Sequence, residues 1–148
     1  MKKPLWAVLE LPLKTTKESV WSVLTEPKYT KQYMYNCALQ CNWEIGDKVE
    51  WIETHDDGAT TIHVAGELLE YTPYSILRFS ISHKGAGLKG QCSELRFRIT
   101  PPHTEGVLLT IEQGDFSSFP QAEEIHAACQ RGWLYVQQDL EKTCLNYT

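Results

Sequence analysis

The chain has 148 residues, 42% of them hydrophobic and 22% charged, which fits one folded domain with a real core and excludes a disordered chain. Its net charge is -5 and its 14 Lys and Arg are scattered. Without a clustered basic face, neither nucleic acid nor an anionic membrane surface is an expected partner.

Residues 5–11, Leu-Trp-Ala-Val-Leu-Glu-Leu, read as a first strand that Pro12 ends. Glu10 and the flanking Pro4 and Pro12 interrupt this run too much for a secretory signal, and no stretch of the chain approaches the ~18 apolar residues of a membrane span. Thr15-Thr16-Lys17-Glu18 has the form of a capping box, with the Thr15 hydroxyl accepting the Glu18 amide. Val20, Val23 and Leu24 then share one helical face, and Pro27 stops the helix because the residue before a proline avoids helical angles. A second short helix is expected over residues 28–34.

From residue 42 the period changes to two. Trp43 and Ile45 lead into a turn at Gly46-Asp47, and Val49 and Trp51 alternate with Glu50 and Ile52. Asp56-Asp57-Gly58 is a hairpin signal, since glycine tolerates positive φ. The chain returns from Thr60 to Tyr71 with Ile62, Val64 and Leu68 on one face, so that Val64 turned inward would turn His63 outward. Three further alternations follow, at Leu77-Phe79-Ile81, Leu95-Phe97-Ile99 and Val107-Leu109-Ile111. The glycine-rich stretch from Lys84 to Gly90 reads as a mobile loop. The pattern is that of an antiparallel meander with one covered and one wet face. Residues 121–145 form a long helix whose stripe is Ile125, Cys129, Trp133, Val136 and Leu140. One apolar stripe must cover one apolar sheet face. The expected fold is therefore α+β: a strand, two short helices, a curved antiparallel sheet of about six further strands, and a long C-terminal helix packed on the sheet, in one domain over residues 1–148.

Few patterns carry chemistry. Cys37, Cys41, Cys92, Cys129 and Cys144 are odd in number and form no C-x-x-C pair, so they read as reduced thiols in a cytoplasmic compartment. The five histidines, His55, His63, His83, His103 and His126, lack zinc spacing. Gly85 to Gly90 lacks the Walker spacing and joins two strands, so no helix N-terminus supplies amides to a phosphate. No metal, no cofactor and no catalytic residue is expected.

The element order resembles the START/SRPBCC helix-grip superfamily. Within it, Val20-Trp21-Ser22-Val23-Leu24-Thr25-Glu26-Pro27, Gly66-Glu67-Leu68-Leu69-Glu70-Tyr71 before Pro73, Leu108 to Ile111 with Gly114-Asp115-Phe116, and Gly132-Trp133 resemble the homologues of the activator of heat-shock-protein-90 ATPase. Many of those homologues have a histidine near the position of Gln113, and their eukaryotic co-chaperones carry an additional amino-terminal domain that has no counterpart in this sequence. The resemblance implies a chaperone partner.

Residues facing the long helix are the candidate site. A cavity between sheet and helix is expected to be lined by Trp51, Val64, Phe79, Ile81, Leu95, Phe97, Leu109, Gln113, Trp133 and Val136, with His83 continuing the face of Ile81 and with Tyr33, Met34 and Tyr35 at its entrance. The leading expectation is a small apolar or aromatic ligand held by burial. The alternatives are a chaperone-interacting protein, and a cyclase or hydratase type of enzyme using Glu50, Glu67 or Glu112. Monomer and homodimer stay equally open.

Overall fold

A computed structural model describes residues 3–83, 88, 90–101 and 105–146. Most of the expected Lys84 to Gly90 loop, and His103, lie outside the described residues. The elements run β1 (Ala7–Leu13), α1 (Lys17–Thr25), α2 (Pro27–Tyr33), β2 (Cys37–Gln40), β3 (Lys48–Thr54), β4 (Thr60–Thr72), β5 (Ile76–Ser82), β6 (Cys92–Thr100), β7 (Val107–Gly114) and α3 (Ala122–Leu145). Among the described residues the strands form one antiparallel sheet in the order β1-β7-β6-β5-β4-β3-β2. The sheet curls around α3, and the two short helices close one end.

Alternation assigns the faces, because successive strand side chains point to opposite sides. On β1, Leu9, Leu11 and Leu13 turn in while Val8, Glu10 and Pro12 turn out. Leu77, Phe79, Phe97, Leu109 and Ile111 make the apolar floor, and Val136, Leu140 and Cys144 of α3 complete the core with Val20, Val23 and Leu24 of α1. Burying a side chain such as Leu140 contributes about 1.5–3 kcal/mol. No helix among the described residues is long and apolar enough to cross a membrane.

Two irregularities in β4 bend the sheet. Trp51 pairs with Val64 and Ile52 with Ile62, which leaves His63 as an extra residue. Leu68 pairs with Phe79 and Glu70 with Arg78, which leaves Leu69 as another. Bulges of this kind add twist and re-aim side chains. Between them stands Gly66, where an added Cβ would lie 1.6 Å from the Ser80 carbonyl oxygen. Only a residue without a side chain admits so close an approach of β5.

Helix side chains bond the outer edge of the sheet at points on both β2 and β1. On β2, the Thr30 hydroxyl accepts from the Leu39 amide at 3.0 Å and donates to the Cys37 carbonyl at 3.0 Å. On β1, the Gln130 side chain accepts from the Val8 amide at 3.0 Å and donates to the Val8 carbonyl at 2.9 Å. One turn earlier on α3, His126 Nε2 donates to the Trp6 carbonyl at 2.9 Å.

Four local expectations are corrected. The helix cap is Thr16, whose hydroxyl accepts from the Ser19 amide at 3.1 Å, and not Thr15. The first strand runs through Pro12 to Leu13; β1 is an edge strand, where a missing N–H costs no ladder bond. The strand preceding β3 is Cys37–Gln40, and Trp43 instead takes a left-handed φ of 65° in the following loop. That loop docks on β4, with the Gly46 amide donating to the Leu68 carbonyl at 2.8 Å. Finally, His63 and Val64 are not simple opposites, because the bulge falls between them and the pairing of Ile52.

Replacing Gly66 by Ala is expected to lower stability by more than about 2 kcal/mol, the range of overpacking against backbone. Urea unfolding followed by tryptophan fluorescence measures this; an unchanged midpoint would show that β4 and β5 separate freely.

Candidate functional site

The stripe of α3 does not meet the sheet evenly. Toward its C-terminal end Leu140 and Cys144 are fully buried, whereas Cys129 and Gly132 are only partly covered. The curl holds the sheet away from this first half of the helix. The space left is a cavity of about 320 Å³ lined by Trp51, Val64, Ile81, Leu95, Trp133 and Val136, by His63, Ser82, His83, Gln113, Cys129 and Gly132, and by Met34 and Tyr35 after α2. Its volume lies at the lower end of the range of small-molecule pockets.

Rings packed edge to face stiffen the apolar wall. Trp51 meets Phe79 edge-on at 5.2 Å, Phe79 meets Phe97 at 6.5 Å, and Phe97 meets Trp133 at 6.0 Å. Each such contact adds about 0.5–1.5 kcal/mol beyond burial, so the two indoles are held by a packed floor.

The polar lining is a connected cluster. Trp133 Nε1 donates to Gln113 Oε1 at 3.0 Å, and Cys129 Sγ donates to the same oxygen at 3.3 Å. Gln113 Nε2 donates to Ser93 Oγ at 3.1 Å, and Ser93 Oγ lies 2.8 Å from His83 Nε2. Phe116 and Phe119 flank the His83 ring edge-on at 6.1 and 5.2 Å. Burial lowers the pKa of His83 below its ordinary 6.5. Burial pushes the Cys129 thiol up to about 11, against the smaller lowering by Trp133, so at neutral pH this sulfur is a protonated donor and a poor nucleophile.

At the mouth, Tyr35 has a left-handed φ of 51° and stacks on Tyr135 at 5.7 Å, nearly parallel. Its hydroxyl faces Gly132, 3.9 Å from where a Cβ would be. His63 Nε2 lies 2.8 Å from Glu53 Oε1, and His55 Nδ1 lies 3.9 Å from Glu53 Oε2. The bond from His63 holds the Glu53 carboxyl below its ordinary range against desolvation, with smaller help from His55 and Asn36. Among the described residues no group of three His, Cys, Asp or Glu is placed to hold a metal ion.

The profile of the family described as "Activator of Hsp90 ATPase homolog 1-like protein" matches residues 14–144. The chain belongs to that family. Its fold recurs in solved structures. One is protein MLL2253 from Mesorhizobium loti, 21% identical, covering 93% of this chain and 95% of that one with a TM-score of 0.73. Another is the Aha1 dimer from Colwellia psychrerythraea, 11% identical, covering 96% and 97% with a TM-score of 0.70. A third is DynU16, described as a putative protein in the dynemicin biosynthetic locus, 20% identical, covering 95% of this chain and 47% of that one with a TM-score of 0.71. No curated protein matches the chain.

In this family member, the sequence-predicted residues fall into four groups. Trp51, Val64, Ile81, Leu95, Gln113, Trp133 and Val136 surround the cavity, as do Met34 and Tyr35. Phe79, Phe97 and Leu109 point to the same side but lie in the packed floor and line no part of it. Tyr33 is buried away from the mouth, where its hydroxyl donates to the Val23 carbonyl at 2.8 Å. Glu50, Glu67 and Glu112 stand on the outward positions of their strands and line no part of the cavity. His63, Ser82, Cys129 and Gly132 were not among the predicted lining residues. The signal for Gly132 was a gap in the helical stripe, one turn after Cys129. For His63 it lay in the register of β4, which alternation alone does not reveal.

The lowered pKa of His83 makes the unfolded chain bind more protons than the folded one below pH 6.5, so stability falls as pH falls through that range. Thermal unfolding between pH 7.5 and 5 should show this slope, and His83→Phe should flatten it. An equal slope in both proteins would remove His83 from the account.

Proposed function

We propose that this member of the Activator of Hsp90 ATPase homolog 1-like family is a START-like binding protein that holds a small apolar or aromatic molecule between the curled sheet and α3. The observation that carries this reading is the cavity of about 320 Å³ with two indoles in its walls. An apolar guest gains about 0.8 kcal/mol for each methylene it buries there. The floor beneath Trp51 and Trp133 is fully packed, so the space is kept open before a guest arrives and little ordering cost falls on binding. The similar protein DynU16 is described as a putative protein in a biosynthetic locus, a setting in keeping with this reading.

Native mass spectrometry of the freshly purified protein, followed by denaturing extraction, is expected to release a bound small molecule. Gly132→Leu is the matching variant. An added Cβ there meets only the Tyr35 hydroxyl, at 3.9 Å, and Gly132 lines the cavity that a leucine side chain would fill. Replacing a helical glycine by leucine stabilises by about 0.5–1 kcal/mol, so the melting temperature should hold or rise while the bound molecule is lost. Retention of the molecule in Gly132→Leu would place binding elsewhere, and a clean apo mass in the unaltered chain together with no response to naphthalene would remove the reading.

Family membership favours a second reading, contact with heat-shock-protein-90. The expected outcome is a rise in the chaperone's ATPase rate on adding the chain. An unchanged rate together with no co-sedimentation would dismiss it.

A further inference from the structure

The polar cluster at the cavity wall has a direction. Trp133 Nε1–H is a donor only, so the Gln113 atom 3.0 Å from it must be oxygen. That fixes the amide: the other atom, 3.1 Å from Ser93 Oγ, is nitrogen and donates. Ser93 is buried, 3% exposed, and its own hydroxyl proton needs an acceptor. Among the described residues, the acceptor within reach is His83 Nε2 at 2.8 Å. If His83 instead donated from Nε2, the buried serine proton would have no partner, and an unmade buried bond is costly. The neutral histidine therefore carries its proton on Nδ1.

The consequence concerns what faces the cavity. Gln113 Oε1 already accepts from both Trp133 and Cys129. The serine oxygen and His83 Nε2 are engaged with each other. Among the described residues, what stays unpaired is the His83 Nδ1–H and the second amide N–H of Gln113. Both are donors, and both residues line the cavity. Among the described residues neither Lys nor Arg lines it, and Glu53 stands behind His63 at the mouth. An anionic guest would find no compensating charge there.

We infer that the cavity takes a neutral aromatic molecule bearing one hydrogen-bond acceptor, such as a ketone oxygen, received by the N–H groups of His83 and Gln113. This rests on the binding reading above and adds the chemical class of the guest. His83 and Gln113 touch the guest, while Trp133 and Ser93 are positioning residues that set the direction of the relay.

Two measurements on the full chain test it. Long-range proton–nitrogen correlation NMR near neutral pH is expected to show His83 as the Nδ1–H tautomer; the Nε2–H tautomer would overturn the inference. Tryptophan fluorescence titration then compares 2-acetylnaphthalene with 2-isopropenylnaphthalene, which has the same shape but no acceptor, and with 2-naphthoate. The ketone should bind roughly 3- to 10-fold tighter than the alkene, the worth of one net hydrogen bond, and naphthoate should bind most weakly. His83→Phe should lose the preference for the ketone and keep the alkene. Equal binding of ketone and alkene, or tightest binding by naphthoate, sinks the inference and leaves the binding reading intact. Failure of every naphthalene probe to bind sinks the inference whatever the tautomer, and together with a clean apo mass it sinks the binding reading too.

Discussion

The curl of the sheet at β4 is the constraint on which the rest of the molecule depends. A flat sheet would meet the stripe of α3 along its whole length and leave no room between them. Two bulges, at His63 and Leu69, and the contact at Gly66 bend the strand instead. The helix then packs firmly through Leu140 and Cys144 and stands off around Gly132. Cavity, core and mouth are three outcomes of one bend. The same bulge that contributes to the curvature also brings His63 to the rim beside Val64.

The cavity wall is built in two layers with different duties. The inner layer is rigid and apolar: Phe79 and Phe97, 0% and 3% exposed, lock the indoles of Trp51 and Trp133 edge-on. The outer layer is a chain of hydrogen bonds running from Trp133 through Gln113 and Ser93 to His83. Because Trp133 belongs to both layers, the packing of the floor also fixes the orientation of the polar chain. Such coupling rigidifies a buried network: among the described residues every side-chain nitrogen or oxygen without solvent-accessible surface has a partner, which leaves the two spare donors of His83 and Gln113 for a guest. On the outer face a separate arrangement ties the strands together: Glu94 bonds both Arg78 and Arg96, and Arg96 lies over the Trp6 ring at 4.2 Å.

The order of elements was legible because period-two runs and one 3.6-residue stripe survive in the bare sequence. The Asp56-Asp57-Gly58 turn, the long helix and the stop at Pro27 were read from local chemistry that the fold does not override. Four-residue β2 was missed because its pairing depends on Thr30, nine residues from Leu39 and on another element. Pro12 misled because a proline ends a strand only where its N–H is needed. At the site, alternation told which face a residue takes but not how far along that face the helix stands off. Phe79 and Leu109 share a side with Ile81 and Gln113, yet the first two are roofed by packing and the second two by open space. The polar relay was invisible for the same reason, since its members come from the residue following β5 and from β6, β7 and α3.

The helix side chains that bond the sheet's edges have a consequence for assembly. Thr30 occupies the outward amide and carbonyl of β2, and Gln130 does the same for β1. A free edge invites another chain to add a strand, which is the route to fibrils and exchanged segments. Here the backbone has no docking rail left at those positions. At those positions a further strand could add only by displacing Thr30 or Gln130, so contacts made there run through side chains.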